Sequence, residues 1–324
     1  MRSWSSYTSC ATDGITAFLA FKRALARKFH TEERALRLFD RYLTEKGIGD
    51  LGQVTPIVIE GFLTSRPRKS PRSYNHLLGV IRCFFSWLVG QDLLGKSPVK
   101  AHPRRATAQR LPFLFGPSEA KRLLAEAARL SDNSRASLRG PTYVMIFTLL
   151  YGLGLRVGEV SRLCVKDVDL ERRLLVIRET KFSKSRLVPF GPRVAKSLEA
   201  YLGRRGVTEP EAPVFSFTRG KPVNPGTISQ TFHHMLPTLD LDVPRGTFPP
   251  RLHDLRHAFA TGRLLRWYRE GVDPASRLIH LSTFLGHVSP ASTAVYLSIT
   301  HELLDQANER FERLGIAAVK GDSV

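Results

Sequence analysis

The chain has 324 residues, 42% of them hydrophobic and 24% charged, a balance typical of a globular protein that can bury a core in each of two domains. Its 49 Lys and Arg against 29 Asp and Glu give a formal net charge of +20, which favours nucleic acid as a partner over neutral or acidic ligands. The three cysteines form no Cys-x-x-Cys pair and the longest apolar run, 143–155, is too short to span a bilayer, which argues against a structural zinc site and a membrane protein.

Residues 1–95 are predicted to form an N-terminal helical domain that grips DNA. Apolar residues recur at helical spacing near Ile15, near Ala35 and most clearly over 73–94, which predicts a bundle of about four helices. Positive charge is denser here, since residues 1–110 hold 19 basic and 8 acidic side chains. The aromatic-rich stripe of the last helix is predicted to be core rather than a platform for stacking bases. It consists of Leu77, Leu78, Ile81, Phe84, Phe85 and Leu88.

Residues 96–112 are predicted to be an extended basic linker between two domains. Prolines at 98, 103 and 112 disfavour a continuous helix, and an extended basic chain suits the phosphates of a duplex. A solvated linker that touches nothing is the alternative. Two arginines off the apolar stripe and the basic residues of the linker are predicted to bind DNA: Arg72, Arg82, Lys96, Lys100, Arg104, Arg105 and Arg110.

Residues 113–310 are predicted to form a second, mostly helical domain, and 311–324 a C-terminal tail. An apolar helix over 141–153 ends in a glycine-rich turn around Arg156, which leaves an arginine where a phosphate can reach it. The fold expected for the whole chain is mainly α, in the α+β class. Further helices of this domain are predicted to begin at Pro117 and to cover 192–202, 227–236 and 253–268.

A β-hairpin is predicted between these helices as the small antiparallel sheet of the second domain. Residues 174–177 and 186–189 are apolar and partly β-branched, and polar residues separate them. Lys181 and Lys184 then lie at the tip of the hairpin, from which a lysine can reach a bound DNA strand. Two solvated turn lysines are the alternative.

The stretch from His253 to Tyr296 concentrates residues that can move a phosphodiester. His253 and Arg256 are one helical turn apart and share a face, and His287 and Tyr296 follow. Arginine offers phosphate a fixed fork of donors, histidine exchanges protons near neutral pH, and tyrosine carries a nucleophilic oxygen. The dipeptide at 289–290, Ser-Pro, predicts a helix start that places Tyr296 about two turns into a helix.

The acidic residues and the second histidine near these motifs are not predicted to take part in the chemistry. Glu159 is expected to brace the turn at Arg156, and Asp254 to pair with a nearby cation. No second and third carboxylate cluster near Asp254, so a metal site of the kind that metal-dependent nucleases need is not expected. His257 is assigned no chemical role. Neither a metal nor a cofactor is predicted.

Five motifs in this order resemble those of the tyrosine recombinases, also called phage-type integrases and including the Xer-type resolvases. Each motif is short, but all five occur in order and at close to the family spacing over about residues 111–310. A longer connection between Arg256 and His287 departs from the Xer pattern and is similar to that of recombinases carried by transposon-like elements. The motifs are GLRVGE at 154–159, TKFSKSRLVP at 180–189, HDLRH at 253–257, LGH at 285–287 and Tyr296.

The resemblance implies site-specific DNA strand exchange, by cleavage and rejoining without metal or ATP. Tyr296 would attack a DNA phosphate to give a 3′-phosphotyrosyl link and a free 5′-hydroxyl. Arg156 and Arg256 would bind the non-bridging oxygens. They would also help the tyrosine to ionise, since its unperturbed pKa is about 10.

The other roles implied by the resemblance concern protons and hydrogen bonds. Lys181, rather than Lys184, would protonate the leaving 5′-oxygen, and Lys184 would contact DNA. His253 would handle the tyrosine proton, and His287 would hydrogen-bond the phosphate.

The expected partners are double-stranded DNA and further copies of the chain, in a tetramer on two duplexes. Accessory recombinases from the same mobile element are also possible partners, and a membrane is not expected. The predicted location is the cytoplasm, at the nucleoid. The alternatives are a DNA-binding regulator that does not cut, and a topoisomerase that relaxes DNA by the same chemistry.

Overall fold

The chain folds into two compact units, residues 1–109 and 110–324, each with its own hydrophobic core. The part that the structure describes is mainly helical, with a three-stranded antiparallel sheet in the second unit, which confirms the predicted fold class. No helix in this part is long and apolar enough to cross a membrane. The computed structural model describes residues 7–27, 29–105, 111–178, 185–218, 220–287 and 289–298.

The first unit is built from helices that bury aromatic side chains. Two of them begin with a hydroxyl cap and a proline: Thr55 caps the helix that starts at Pro56, and Ser70 accepts a hydrogen bond from the Ser73 backbone nitrogen at 3.1 Å. Every residue of the predicted stripe in the last helix is buried, so the stripe is core. The helices are α1 (Thr12–Ala24), α2 (His30–Glu45), α3 (Pro56–Ser65) and α4 (Pro71–Gly90).

The beginning of the predicted linker packs along α4. Val99 and Ala101 join the core of the first unit. The Asn75 side chain bonds the backbone of Arg104 in both directions, at 2.8 and 2.7 Å, and the Arg82 guanidinium donates to the Ala101 carbonyl at 2.8 Å. These bonds fix the path of the chain to Arg104. Residues 106–110 of the predicted linker, which include Arg110, lie outside the described residues.

The second unit is organised around a central buried helix, α6, as its apolar sequence predicts. Tyr143 and Phe147 of this helix are at most 1% exposed, and α6 leads directly into the turn at Arg156. The helices of this unit are α5 (Pro117–Ala128), α6 (Arg139–Gly152), α7 (Val157–Ser161), α8 (Pro192–Arg205), α9 (Pro225–Met235), α10 (Asp254–Arg269), α11 (Pro274–Leu285) and α12 (Ala291–Ala294).

The sheet contains the predicted hairpin. Its strands are β1 (Val168–Asp169), β2 (Leu174–Ile177) and β3 (Arg186–Pro189), with β2 antiparallel to both neighbours and Ile177 opposite Arg186. Alternate residues of β2 face the core, as a half-buried strand requires. The predicted hairpin tip, with Lys181 and Lys184, lies outside the described residues.

The long connection expected between Arg256 and His287 is in fact largely helical. Helix α11 begins at Pro274, where the Asp273 carboxylate accepts hydrogen bonds from the backbone nitrogens of Ala275 and Ser276 at 3.1 and 3.3 Å. It ends at Gly286, whose φ of +68° is the left-handed conformation that commonly closes a helix. The Asp-Pro start and the Gly end were both visible in the sequence.

The segment that carries Tyr296 is also tighter than predicted. Helix α12 is only four residues long and is followed by a 3-10 turn over Val295–Ser298 that contains Tyr296. The tyrosine therefore lies in a 3-10 turn instead of the second turn of an α-helix. Its side chain belongs to one hydrophobic cluster with Ala260 and Leu264 of α10 and Leu285 of α11.

Candidate active site

Arg156 is the N-cap residue of α7, and Glu159 holds it in place. The Arg156 backbone nitrogen donates to Glu159 Oε2 at 2.9 Å, and its Nη1 donates to Oε1 at 2.7 Å. The turn before it needs Gly154, whose φ is +60° and whose missing Cβ makes room for Phe259. Glu159 therefore braces the Arg156 turn, as the sequence suggested.

The Glu159 carboxylate is buried and is shared with a second arginine, Arg186 of β3. Both oxygens accept hydrogen bonds from the Arg186 guanidinium, at 2.9 and 2.8 Å. Burial acts to raise the pKa of Glu159, but the bonds from Arg186 and Arg156 outweigh it and lower the pKa to about 2. The carboxylate is therefore ionised at neutral pH and offsets part of the positive charge of the site.

Three arginines converge on the C-terminal end of α11. Arg186 Nε donates to the Phe284 carbonyl at 2.8 Å, Arg256 Nη2 to the Leu285 carbonyl at 2.6 Å, and Arg156 Nη2 to the Gly286 carbonyl at 2.8 Å. The last carbonyls of a helix lack intrahelical partners and carry partial negative charge. The end of α11 thus holds like-charged guanidinium groups close together.

Arg256, from the first turn of α10, is the most enclosed of these arginines, with 1% of its surface exposed. Its Nη1 donates to the Gly154 carbonyl at 2.6 Å, which links α10 to the turn before α7. Burial, with a contribution from the charge of Arg156, lowers the pKa of Arg256 to about 10. The side chain stays charged at neutral pH.

Two more predicted site residues, His253 and His287, lie beside these arginines. Burial, followed by the charges of Arg256 and Arg156, lowers the pKa of His287 to about 4. Its Nδ1 lies 2.6 Å from the hydroxyl of Thr293, which is fully buried. His253, just before α10, is more exposed to solvent. Desolvation of its ring, with the charges of His257 and Arg256, also lowers its pKa.

Tyr296 is 4% exposed, and its ring lies nearly parallel to that of His287, with centroids 6.3 Å apart. Burial raises the pKa of Tyr296, while the charges of Arg256 and Arg156 and a hydrogen bond from Arg256 act to lower it. The arginines thus have the effect on ionisation that was expected of them, but desolvation exceeds it. The hydroxyl lies 3.1 Å from Nδ1 of His257.

The structure brings five of the six predicted catalytic residues into one cluster at the meeting point of α7, α10, α11 and the 3-10 turn. The sixth, Lys181, and the predicted DNA contacts Lys184 and Arg110 lie outside the described residues. The other predicted DNA contacts belong to the first unit. The five clustered residues are Arg156, His253, Arg256, His287 and Tyr296.

Sequence reasoning missed two residues of this cluster, Arg186 and His257. His257 is four positions after His253, so helical spacing could have placed it on the same face. Arg186 lies within the hairpin motif but was treated only as part of a strand.

Asp254 is fully buried and pairs with Arg251 at 2.9 Å, as predicted. Within the described residues, no group of three or more His, Cys, Asp or Glu side chains is placed to hold a metal.

Comparison with known proteins identifies relatives that span nearly the whole chain. The profile of the phage integrase family matches residues 115–302. A Sinorhizobium fredii protein named integrase/recombinase y4rB is 33% identical and covers 92% of this chain and 96% of its own. Tyrosine recombinase XerC of Myxococcus xanthus is 32% identical, with coverage of 83% and 85%.

The fold also matches solved structures. The Tn1549 transposon integrase, in complex with transposon right-end DNA, aligns with a TM-score of 0.65 and 18% identity, covering 93% of this chain and 99% of that one. At this identity the match concerns the fold alone. The profile match extends over more than half of the chain, and together with the curated relatives it shows that the chain belongs to the phage integrase family and is a tyrosine recombinase, an enzyme that cleaves and rejoins DNA at specific sites.

Proposed function

We propose that Tyr296 is the nucleophile with which this recombinase exchanges DNA strands of a mobile element, through a 3′-phosphotyrosyl intermediate. The observation that supports this proposal best is the environment of one tyrosine hydroxyl: Arg256 hydrogen-bonds it, the charge of Arg156 also acts on it, and the His287 ring lies alongside the tyrosine ring. A phosphate bound by the two arginines would lie next to that hydroxyl. Bond energy is kept in the protein–DNA ester, so the reaction is reversible and needs no ATP.

Arg156 and Arg256 bind the non-bridging oxygens of the scissile phosphate in this mechanism. Their guanidinium groups are already held by carbonyls at the end of α11 and by Glu159, so little reorganisation is needed when charge grows in the transition state. Arg156, with 29% of its side chain exposed, is the more accessible of the pair. It is proposed to meet the DNA first.

His287 donates a hydrogen bond to the same phosphate. The Thr293 hydroxyl lies 2.6 Å from its Nδ1, and the lowered pKa keeps the ring neutral. In the proposed arrangement the hydroxyl donates to Nδ1, and the single ring proton is on Nε2, which donates to the phosphate.

The family resemblance assigns the tyrosine proton to His253, but the imidazole 3.1 Å from the Tyr296 hydroxyl is that of His257. His253, at the more exposed side of the cluster, is proposed to contact the phosphate instead. Lys181 is proposed to protonate the leaving 5′-oxygen, as the family resemblance implies.

The first unit is proposed to hold the DNA duplex, together with residues 96–112. Its exposed basic residues include Arg72, Arg104 and Arg105, and phosphate contacts of this kind supply most of the affinity of DNA-binding proteins. Strand exchange needs an active site for each strand, which supports a tetramer on two duplexes. The substrate is chromosomal or element-borne DNA, so the proposed location is the cytoplasm, at the nucleoid. Accessory recombinases of the same element are proposed as further partners.

The test is covalent trapping on DNA that flanks the gene for this protein. Parent protein and the Tyr296→Phe variant are each incubated with labelled duplexes in the presence of a chelator. The duplexes cover the flanking DNA, and each carries a nick next to the phosphate that is tested for cleavage. Covalent adducts are then resolved on a denaturing gel. We expect an adduct with the parent alone. Tight binding by both proteins without an adduct, on every flanking duplex, would refute the proposed nucleophile and favour a non-cutting regulator. A second assay on supercoiled plasmid distinguishes the two enzyme activities. Strand exchange joins two DNA segments, whereas a topoisomerase only relaxes the plasmid.

A further inference from the structure

The hydroxyl of Tyr296 meets an imidazole, and that imidazole belongs to His257. The Nδ1–Oη distance is 3.1 Å and the ring centroids are 5.4 Å apart, within the range in which a proton passes directly between the two groups. His253 is one turn earlier, edge-on to His257 with ring centroids 4.8 Å apart. Among the contacts of the described residues, the imidazole bonded to the tyrosine hydroxyl is thus the second histidine of the motif.

A buried carboxylate lies behind His257. Asp254 Oδ1 is 4.0 Å from His257 Nε2, and Asp254 is fully buried. The carboxylate is held by the Arg251 backbone nitrogen at 2.8 Å and by its guanidinium at 2.9 Å. Its negative charge faces Nε2, which favours the tautomer with the proton on Nε2 and the lone pair on Nδ1. In that tautomer the Nδ1 lone pair is on the side of the tyrosine hydroxyl, 3.1 Å away.

The order carboxylate, imidazole, hydroxyl is the arrangement that activates an oxygen nucleophile in other enzymes, on unrelated folds. The carboxylate sets the tautomer and stabilises the imidazolium, and the imidazole removes the proton. In this chain all three side chains lie between the start of α10 and the 3-10 turn. Asp254 and His257 are one turn apart on α10, so that helix alone fixes two members of the set.

Burial and the positive charges around His257 keep its ring unprotonated at neutral pH. Burial, followed by the charges of Arg251 and Arg256, lowers the pKa of His257 to about 4, so the ring is neutral at pH 7. Binding of a DNA phosphate by the arginines cancels part of that positive charge and raises the proton affinity of the ring at the moment of attack. Within the described residues, the titratable and charged groups that face His257 are Arg251, His253, Asp254 and Arg256 from its own segment and Tyr296 from the 3-10 turn.

We propose that His257 is a catalytic residue of this recombinase, the base that takes the proton from Tyr296, with Asp254 as its positioning residue. The proton moves from Tyr296 Oη to His257 Nδ1 while Oη bonds to phosphorus. The bond from phosphorus to the 5′-oxygen breaks, and that oxygen takes a proton from the general acid proposed above, Lys181. Rejoining reverses each step, and His257 returns the proton to the tyrosine. This inference rests on the proposed function.

The experiment is single-turnover cleavage of the nicked duplex that gives the adduct, as a function of pH. The variants are His257→Asn, which keeps a polar atom near the Nδ1 position but cannot accept a proton, and His257→Ala, which leaves space for added imidazole. His253→Asn is the matched control. Urea unfolding and fluorescence anisotropy with the same duplex establish that each variant folds and binds DNA.

We expect His257→Asn to slow cleavage at pH 7 by about 100-fold or more and to give a rate that rises about tenfold per pH unit, because hydroxide replaces the lost base. Added imidazole should accelerate His257→Ala. His253→Asn should keep the pH profile of the parent, whatever its rate.

Three results would overturn the inference. The first is a rate for His257→Asn within about threefold of the parent rate. The second is a slow His257→Asn with the parent pH profile and no imidazole rescue of His257→Ala, because His257 would then serve only to position the tyrosine. The third is a cleavage rate that rises steeply with pH in His253→Asn but not in His257→Asn. A parent that forms no adduct refutes the proposed function itself, a result that the trapping assay gives before any His257 variant is made.

Discussion

Arg186 and Glu159 form a two-bond ion pair that is almost entirely buried, with 9% and 2% of their side chains exposed. The pair connects β3 to α7, and through the bond from Arg186 to the Phe284 carbonyl it also reaches the end of α11. The same carboxylate holds Arg156. A residue with no assigned part in the chemistry thus connects three of the elements that position the proposed phosphate-binding arginines.

Arg186→Lys should impair cleavage without removing the charge of the site. A lysine cannot bond both carboxylate oxygens and the Phe284 carbonyl at once, so Glu159 and Arg156 lose their fixed position. We expect single-turnover cleavage at saturating DNA to slow by about 10-fold to 100-fold, because displacing a preorganised donor costs less than deleting it. DNA affinity should change little. Arg172→Lys, at an exposed position in the turn before β2, is the control and should match the parent. Parent-like cleavage by Arg186→Lys would show that the ion pair serves stability alone.

Glu159→Gln should reduce stability in a pH-dependent way. The folded-state pKa of Glu159 is about 2, below its ordinary value of 4.5. The stabilisation is therefore complete above pH of about 4.5 and disappears as the pH falls towards 2. A shift of this size corresponds to about 3 kcal/mol at neutral pH.

Urea unfolding of parent and variant from pH 7 to pH 3 measures this effect. The difference in unfolding free energy should be largest at neutral pH and should narrow below pH of about 4.5. Glu171→Gln, an exposed carboxylate in the turn before β2, should show no such trend. A constant difference between the Glu159→Gln variant and the parent at all pH values would mean that packing, and not the charge of Glu159, accounts for the loss.

Gly154→Ala should destabilise the second unit and displace Arg256. Its φ of +60° is unfavourable for alanine, and a Cβ would lie 2.5 Å from Phe259 Cδ1 and 3.0 Å from Leu285 Cδ2. Strain and overpacking together should lower the unfolding free energy by about 2 to 4 kcal/mol. Because the Gly154 carbonyl accepts a bond from Arg256, cleavage should fall as well.

Two other glycines separate the contributions in the Gly154→Ala experiment. Gly206 has the same φ of +60° but open space around the Cβ position, so Gly206→Ala should cost about 1 kcal/mol from conformation alone. Gly152 has neither constraint, and Gly152→Ala should be neutral or slightly stabilising. Equal losses for Gly154→Ala and Gly206→Ala would exclude a contribution from the contact with Phe259.

The sequence was sufficient for those features that local patterns determine. The stripe around Phe84 specified a buried helix face, and the apolar, partly β-branched run around Leu175 specified a strand. The roles of Arg186 and His257 depend on contacts with Glu159 and Tyr296, which are 27 and 39 positions away. No periodic pattern encodes such contacts. Helix α11 was not predicted, although its Asp-Pro start and Gly end are local signals in the sequence.

Removing different predicted DNA contacts of the first unit should have different effects on DNA affinity and on stability. Arg72 is exposed near the start of α4, so Arg72→Ala should weaken DNA binding, reduce the slope of log affinity against log salt by about 0.9 for one lost phosphate contact, and leave stability nearly unchanged. Arg82 donates to the Ala101 carbonyl, so Arg82→Ala should also lower the unfolding free energy by about 1 kcal/mol. Anisotropy titrations between 50 and 200 mM salt, with urea unfolding of the same variants, measure both effects. Arg72→Lys keeps the charge and should keep the parent slope, whereas an unchanged slope in Arg72→Ala would place the DNA on another face of the first unit.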